Sequence, residues 1–343
     1  MNNNTTSKIP MIYIVGNSRS GTTLISRILS RHQDVYVLNE THFYDSHWDI
    51  RKNFYLYEKD DLIKIINQML TIERKGIYRK SEYEEYPKDA EEIYQNYNKL
   101  NVHDYSSFIM VFMKTVAIRN NKIIPGDQTP RHIFVINELL NLNENSKFIH
   151  MIRDPRAISL SQKNKWKASL RSKQPKFEVW RTRINYHPIT MSLLWNKVID
   201  AGNRARLMHG YGCIKSVKFE ELTSNPENCV RDVCTFLGLK FNKNMLDVDV
   251  SMSSNTGNVV KGINSSVANK WVEGLTSTEI RIVEFICGSR MKKIGYENSG
   301  VNLNPFTLVF YLVLWPVHIG VALLFNLGRM GNPVNYLKKR IFD

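Results

Sequence analysis

The chain has few cysteines and few acids. Its four cysteines, Cys213, Cys229, Cys234 and Cys287, form no CxxC pair and show no metal-ligand spacing. That argues against a disulfide framework or a zinc-bound module, and for reduced thiols in a reducing compartment. No metal is expected. Thirty-two Asp and Glu face 47 Lys and Arg across 343 residues, a formal charge of +15. Such an imbalance favours polyanionic partners: nucleotides, nucleic acid, anionic glycans or an anionic membrane face. Residues 1–8 are polar, so no secretory leader is expected. The basic run at 163–183 interleaves Trp166, Phe177 and Trp180, but no nucleic-acid-binding fold signature accompanies it, and nucleic acid is not an expected partner.

One absence falls inside the most informative stretch. Ile12, Tyr13, Ile14 and Val15 make an apolar run suited to a strand. Gly16-Asn-Ser-Arg-Ser-Gly-Thr-Thr23 follows, and Leu24, Ile25, Ile28 and Leu29 then recur with helical spacing. A strand, a Gly-rich loop and a helix in that order form an anion cradle from backbone N–H groups and a helix N-terminus. Gly16 and Gly21 stand five apart, as in a P-loop, yet Thr22 occupies the place of the lysine, and the nearest cation is Arg19. That lysine serves the β/γ-phosphates of a nucleoside triphosphate. Its absence points to a nucleotide with no γ-phosphate to transfer, and away from a P-loop kinase.

Further along, short apolar runs alternate with helical patterns. Val35–Leu38 leads to Asn39-Glu40-Thr41-His42, and residues 123–130 read as a strand-end loop before a helix through Ile133 and Leu139. Lys147–Ile152 and residues 214–219 read as strands, and residues 189–208, 226–237 and 276–294 as helices, the last capped near Ser277 or Thr278. Residues 43–107, charged and Tyr-rich, read as a helical insertion over the site. This alternation predicts an α/β fold with a P-loop-like parallel sheet flanked by helices, whose ligands bind beyond the carboxyl ends of the strands. The expected organisation is one domain over 1–300 and an apolar segment with a basic tail over 301–343.

Arg153 leaves the end of the Lys147–Ile152 run, and Ser161 stands eight residues on, about two helical turns later. A cation and a hydroxyl so placed can grip a second phosphate. With these two segments the chain resembles sulfotransferases that use 3′-phosphoadenosine 5′-phosphosulfate (PAPS). Residues 218–226 (KFEELTSNP), 233–241 (VCTFLGLKF) and Asn269-Lys-Trp271 extend the resemblance. Arg-Ser-Gly-Thr-Thr in the first loop, Glu40 lying 21 residues past Arg19, and Thr256…Val259-Val260-Lys261…Lys270-Trp271 resemble the subgroup that includes tyrosylprotein sulfotransferases and many bacterial enzymes.

The resemblance implies the sulfotransferase fold, PAPS as co-substrate and a set of roles. Arg19, Ser20, Gly21, Thr22 and Thr23 hold the 5′-phosphosulfate, with Arg19 stabilising the leaving group. Arg153 and Ser161 hold the 3′-phosphate, and Lys165, Ser254, Lys261 and Lys270 are further candidates for the nucleotide. Glu40 is the base that takes the acceptor proton, with His42 in reserve. The subgroup usually carries Lys before the Thr-Pro of the middle loop, where this chain has Gln128. The expected activity is sulfo transfer to a hydroxyl of a small, lipid or glycolipid acceptor such as a sterol or sugar. Protein-tyrosine sulfation and nucleotide binding without catalysis are the alternatives.

Residues 305–327 carry no acid, Lys or Arg, and Pro316 divides them. The run is long enough to cross a bilayer, but Arg329, Lys338, Lys339 and Arg340 beyond it favour a cytoplasmic tail. The expectation is two half-helices meeting at Pro316 as an in-plane or re-entrant anchor. The chain would then be cytoplasmic, held to an anionic membrane face.

Overall fold

In a computed structural model the described residues are 10–46, 54–76, 86–251, 259–261, 263, 268–302 and 305–330. Ser254, Thr256, Lys338, Lys339 and Arg340 lie outside them. The chain forms two compact units, each drawn from separate stretches of sequence. The first comprises Met1–Ile152, Val198–Val248 and Lys261–Ile263, the second Arg153–Lys197, Asp249–Val260 and Asn264–Asp343.

The first unit is organised by a five-stranded sheet. Its strands are β1 (Ile12–Gly16), β2 (Val35–Leu38), β3 (Ile124–Asp127), β4 (Lys147–Ile152) and β5 (Ile214–Lys218), in the order β2-β3-β1-β4-β5. Every pairing is parallel. All five residues of β1 are buried, as expected of a central parallel strand covered on both faces. Tyr13 stacks on Phe148 across the β1–β4 pair at 5.1 Å between ring centroids, and the helix Thr22–Ser30 buries Leu24, Ile25, Ile28 and Leu29. The parallel sheet is the one expected from the sequence, and loops after β1, β2 and β3 carry the residues singled out above.

β3 departs from expectation. Within residues 123–130, Ile124–Asp127 form a strand before the loop, even though they contain Pro125 and Gly126. β1 pairs with β3 only through Gly126 and Asp127, so Pro125 owes no hydrogen bond to that side. Gly126 sits where a Cβ would lie 3.0 Å from the Ile12 carbonyl oxygen, which explains a small residue between two strands. A 3₁₀ turn, Pro130–Phe134, precedes the helix Ile136–Leu142 where one helix was expected. Helices Lys59–Lys75, Pro87–Asn98 and Tyr105–Arg119 also belong to this unit, around Phe54, Tyr97 and Phe108.

In the second unit the helices Pro155–Lys163, Lys165–Arg171 and Lys176–Ile184 follow one another. Ala157, Leu160, Trp271, Leu275 and Ile280 form an apolar core there. The helix Ser277–Ile294 is capped by Thr276, not by Ser277 or Thr278: Thr276 Oγ1 accepts from Glu279 N at 3.3 Å, and Glu279 Oε2 accepts from Thr276 N at 2.8 Å. The C-terminal apolar run is one continuous helix, Pro305–Met330, with Pro316 inside it, not two half-helices. Contacts on both sides of the proline hold it against the local loss of a backbone bond: Trp315 Nε1 donates to Thr190 Oγ1 at 3.0 Å, and Asn326 Nδ2 to Asn185 Oδ1 at 2.7 Å.

Candidate functional site

The loop after β1 is built by three left-handed or glycine-only conformations. Gly16 has φ 140°, and a Cβ there would lie 2.4 Å from the Met151 carbonyl oxygen. Arg19 has φ 76° and Gly21 φ 96°, and a Cβ on Gly21 would meet Phe219 Cδ2 at 2.5 Å. Ser20 closes the turn: its Oγ donates to the Asn17 carbonyl at 2.7 Å and its N–H to the same oxygen at 3.1 Å. The Ser20 hydroxyl is therefore engaged within the loop. The following helix opens with no side-chain cap and no acid in its first turn, so its own side chains leave its N-terminal N–H groups and partial positive charge uncompensated. Thr22 is buried and Thr23 exposed. Asn17, 4% exposed, has an Nδ2 with no hydrogen-bond partner. A buried orphan donor beside an uncapped helix start fits a bound anionic group, and sequence reasoning did not find it.

Gln128, just beyond β3, ties this loop to Glu40, just beyond β2. Its Nε2 donates to Thr22 Oγ1 at 3.1 Å and reaches Glu40 Oε1 at 3.4 Å. The other carboxylate oxygen of Glu40 lies 3.3 Å from His42 Nε2. The Glu40 side chain is 42% exposed and His42 17%. Below them lies a buried polar network that the sequence did not reveal. Asp127 Oδ2 accepts from Thr41 Oγ1 at 2.6 Å and from Thr129 Oγ1 at 3.2 Å, and its Oδ1 lies 2.8 Å from His132 Nδ1. The His42 N–H donates to Thr129 Oγ1 at 3.3 Å, and His42 holds a left-handed φ of 50°. Asp127 thus anchors Thr41, which follows Glu40, and Thr129 and His132, which follow Gln128. A carboxylate held at a mouth by such a frame can accept a proton from a hydroxyl without first being reoriented.

In the second unit, Arg153 opens the turn after β4. Its carbonyl accepts from Trp195 Nε1 at 3.0 Å. Asp154 caps the helix Pro155–Lys163, accepting from Arg156 N at 2.8 Å. Arg156 grips the same carboxylate with a fork, Nε to Oδ1 at 3.0 Å and Nη2 to Oδ2 at 2.7 Å. Its Nη1 donates to Glu284 Oε1 at 2.8 Å and to the Glu297 carbonyl at 2.9 Å, while the guanidinium lies 3.9 Å over the Trp271 ring. Burial would push the Glu284 carboxyl up, but the Ser299 N–H and the Arg156 guanidinium together hold it below the usual carboxylate range. This locked cluster fixes the turn that carries Arg153 and the start of the helix that carries the buried Ser161.

Lys165 is half-buried at the head of the next helix, Lys165–Arg171. Lys270 is exposed and precedes the helix Trp271–Gly274. Lys261 ends the strand Val259–Lys261, and its side chain lies outside the described part of the structure. Among the described residues, then, Thr22, Glu40 and Gln128 meet in the first unit. Arg153 and Ser161 share one turn and helix in the second.

A sequence model of the Sulfotransferase family matches residues 10–243. The chain is similar to carbohydrate sulfotransferase 2 of Mus musculus, with 27% identity over 184 residues that cover 44% of this chain and 35% of that protein. It is similar to the protein-tyrosine sulfotransferase of Drosophila melanogaster, with 21% identity over 303 residues that cover 84% of this chain and 52% of that protein. The chain thus spans only about a third to a half of the length of these curated relatives. Among solved structures it is similar in fold to the sulfotransferase domain from the curacin biosynthetic pathway, at a TM-score of 0.51 and 16% identity, covering 84% of this chain and 98% of that one.

Proposed function

The chain belongs to the Sulfotransferase family, and from that premise we propose that it transfers a sulfo group from PAPS to a hydroxyl of a small, lipid or glycolipid acceptor. The observation that carries this reading is the Gln128 bridge, which sets the Glu40 carboxylate beside Thr22 at the head of the phosphate-loop helix. PAPS would supply an activated sulfo group whose departure leaves charge on a phosphate oxygen. Arg19, the N–H groups at the helix start and the Asn17 amide would hold that phosphate and its growing charge. Glu40 would take the acceptor hydroxyl proton as the acceptor oxygen bonds to sulfur, with His42 and Gln128 steadying its two oxygens. By the family resemblance, Arg153 and Ser161 hold the 3′-phosphate, with Lys165, Lys261 and Lys270 as further ligands.

Gln128 replaces a usual lysine with a neutral donor, so charge on the leaving group falls to Arg19 and the backbone. The competing acceptor is a protein tyrosine, favoured by the alignment along 84% of this chain with a protein-tyrosine sulfotransferase. The test is transfer from ³⁵S-labelled PAPS to a lipid extract, to a glycan pool and to a tyrosine-bearing acidic peptide. Label in the lipid or glycan fraction, lost by about a hundredfold or more in Glu40→Gln, supports the reading. Label in the peptide alone selects the tyrosine acceptor. No label anywhere, with the bisphosphate product still bound, selects binding without catalysis.

A further inference from the structure

The helix Pro305–Met330 turns its polar side chains inward and leaves an apolar face outside. Its half-buried stripe comprises Leu308, Tyr311, Trp315, His318–Ile319, Ala322–Leu323 and Phe325–Asn326. Every polar side chain between positions 308 and 327 falls on that inward stripe. The outward face is apolar and bare: Phe310 is 64% exposed, Val313 65%, Val317 62% and Leu324 67%. A surface helix in water turns a polar side to the solvent, and this one turns an apolar side there instead. The segment Pro305–Leu327 is long and apolar enough to cross a membrane, and no residue in it is fully buried.

The inward contacts decide how it can meet a bilayer. Thr307 Oγ1 lies 2.6 Å from Thr278 Oγ1, Trp315 is bonded to Thr190, and Asn326 Oδ1 accepts from Arg181 Nη1 at 2.9 Å. These pins lie 19 positions apart, about 28 Å at the helical rise of 1.5 Å per residue, nearly the whole hydrocarbon thickness. A spanning helix would drag Arg181, its ion-pair partner Glu178 and Thr190 into the hydrocarbon. A helix lying in the plane keeps those partners on the protein side.

The rim supplies the choice of partner. The helix Lys176–Ile184 packs on the apolar helix, and Phe177 stacks on Phe325 at 5.4 Å. Phe177, Trp180 and Leu170 are all more than half exposed. Residues 163–183 hold eight cations against Glu178 alone; Arg181 is buried against Glu178 and Lys163 pairs with Glu279, which leaves Lys165, Lys167, Arg171, Lys173, Lys176 and Arg183 for the rim. A second copy of this chain would set that basic rim against itself, whereas an anionic lipid surface complements it.

We propose that the outer face of this helix beds in one leaflet of an anionic membrane, lying in its plane without crossing it, with the basic and aromatic rim on the headgroups. The proposal is independent of the enzymatic reading. Its test is co-sedimentation of the full chain with vesicles of phosphatidylcholine alone and with 30% (about) phosphatidylserine, at low and high salt, beside the double variant Phe310→Ser, Leu324→Ser. Both positions are solvent-facing, and an unchanged melting temperature verifies the variant fold. The expected result is binding that needs the anionic lipid, weakens with salt, and falls about tenfold or more in the double variant. Alkaline carbonate should also strip the wild-type chain from membranes. Retention after carbonate would show a span and overturn the proposal. So would absence of vesicle binding, whether the chain is then monomeric or pairs through this face in sedimentation velocity.

Discussion

Cutting Arg156 back to alanine should unlock the turn that carries Arg153. Asp154 is 6% exposed and Glu284 3%, and the Arg156 guanidinium bonds to both. Without it, Glu284 keeps the Ser299 N–H at 2.7 Å and Arg281 at 3.3 Å, while Asp154 keeps the backbone N–H it caps. Removing one member of a buried charge cluster costs about 3–5 kcal/mol, because the remaining charges stay desolvated. At roughly 2–4 °C per kcal/mol for a unit of this size, the melting temperature should fall by about 10 °C. The assay is thermal unfolding followed by circular dichroism, with Arg156→Ala compared with Arg156→Ala, Glu284→Gln. The second substitution removes an uncompensated charge and should recover part of the loss. A drop of less than about 2 °C in Arg156→Ala, outside the range the burial implies, would refute the reasoning. The carboxylates would then be solvated, and the cluster would not be the dry lock described.

Three other perturbations read the rest of the structure. Gln128→Ala removes a neutral hydrogen bond to Thr22, worth about 1 kcal/mol, and a longer one to the Glu40 carboxylate. Bisphosphate affinity should fall only a few-fold and turnover should fall further, because Glu40 loses its tether; equal losses in both would contradict the positioning role. Gly21→Ala must hold a left-handed φ of 96° and push against the Phe219 ring at 2.5 Å. It should lower the melting temperature and abolish nucleotide binding, with Phe219→Leu restoring part of both, measured by thermal shift with and without ligand. Acidification should destabilise the chain. Burial, and then the nearby Arg206, hold His150 down to about 3, and burial with the neighbouring His318 holds His187 down to about 4. Both folded-state values lie below the ordinary 6.5, so the unfolded chain binds more protons in that window. Stability should be level in this respect above about pH 6.5 and should fall by a few kcal/mol as pH drops through 4. A melting temperature that stays flat between pH 7 and 4 would count against those burials.

What the sequence made legible was local. β1, its loop and its helix form one contiguous pattern, and β2 and β4 were readable as short apolar runs with the observed ends. β3 was hidden because Pro125 and Gly126 disguise a strand whose partners lie some ninety or more residues away in the chain. The Asp127 network was invisible for the same reason: Thr41 meets Asp127 across 86 positions. In Arg153-Asp-Pro-Arg156, the strand end and helix start were plain. Which arginine is locked into the frame depends on Glu284, 128 positions away. Gln128 stands out in the sequence as a departure from a pattern, but its part in joining Thr22 to Glu40 depends on three strand ends lying side by side. Pro316 suggested a break that the contacts of Trp315 and Asn326 prevent.

The measurement that bears most directly on the donor site is calorimetric titration of the full chain with 3′,5′-adenosine bisphosphate, beside Arg153→Ala and with ATP as control. Tight binding of the bisphosphate, weakened in Arg153→Ala and absent for ATP, is the expected result. A wild-type chain that binds ATP and ignores the bisphosphate would contradict the PAPS reading and return the loop after β1 to a different phosphate ligand.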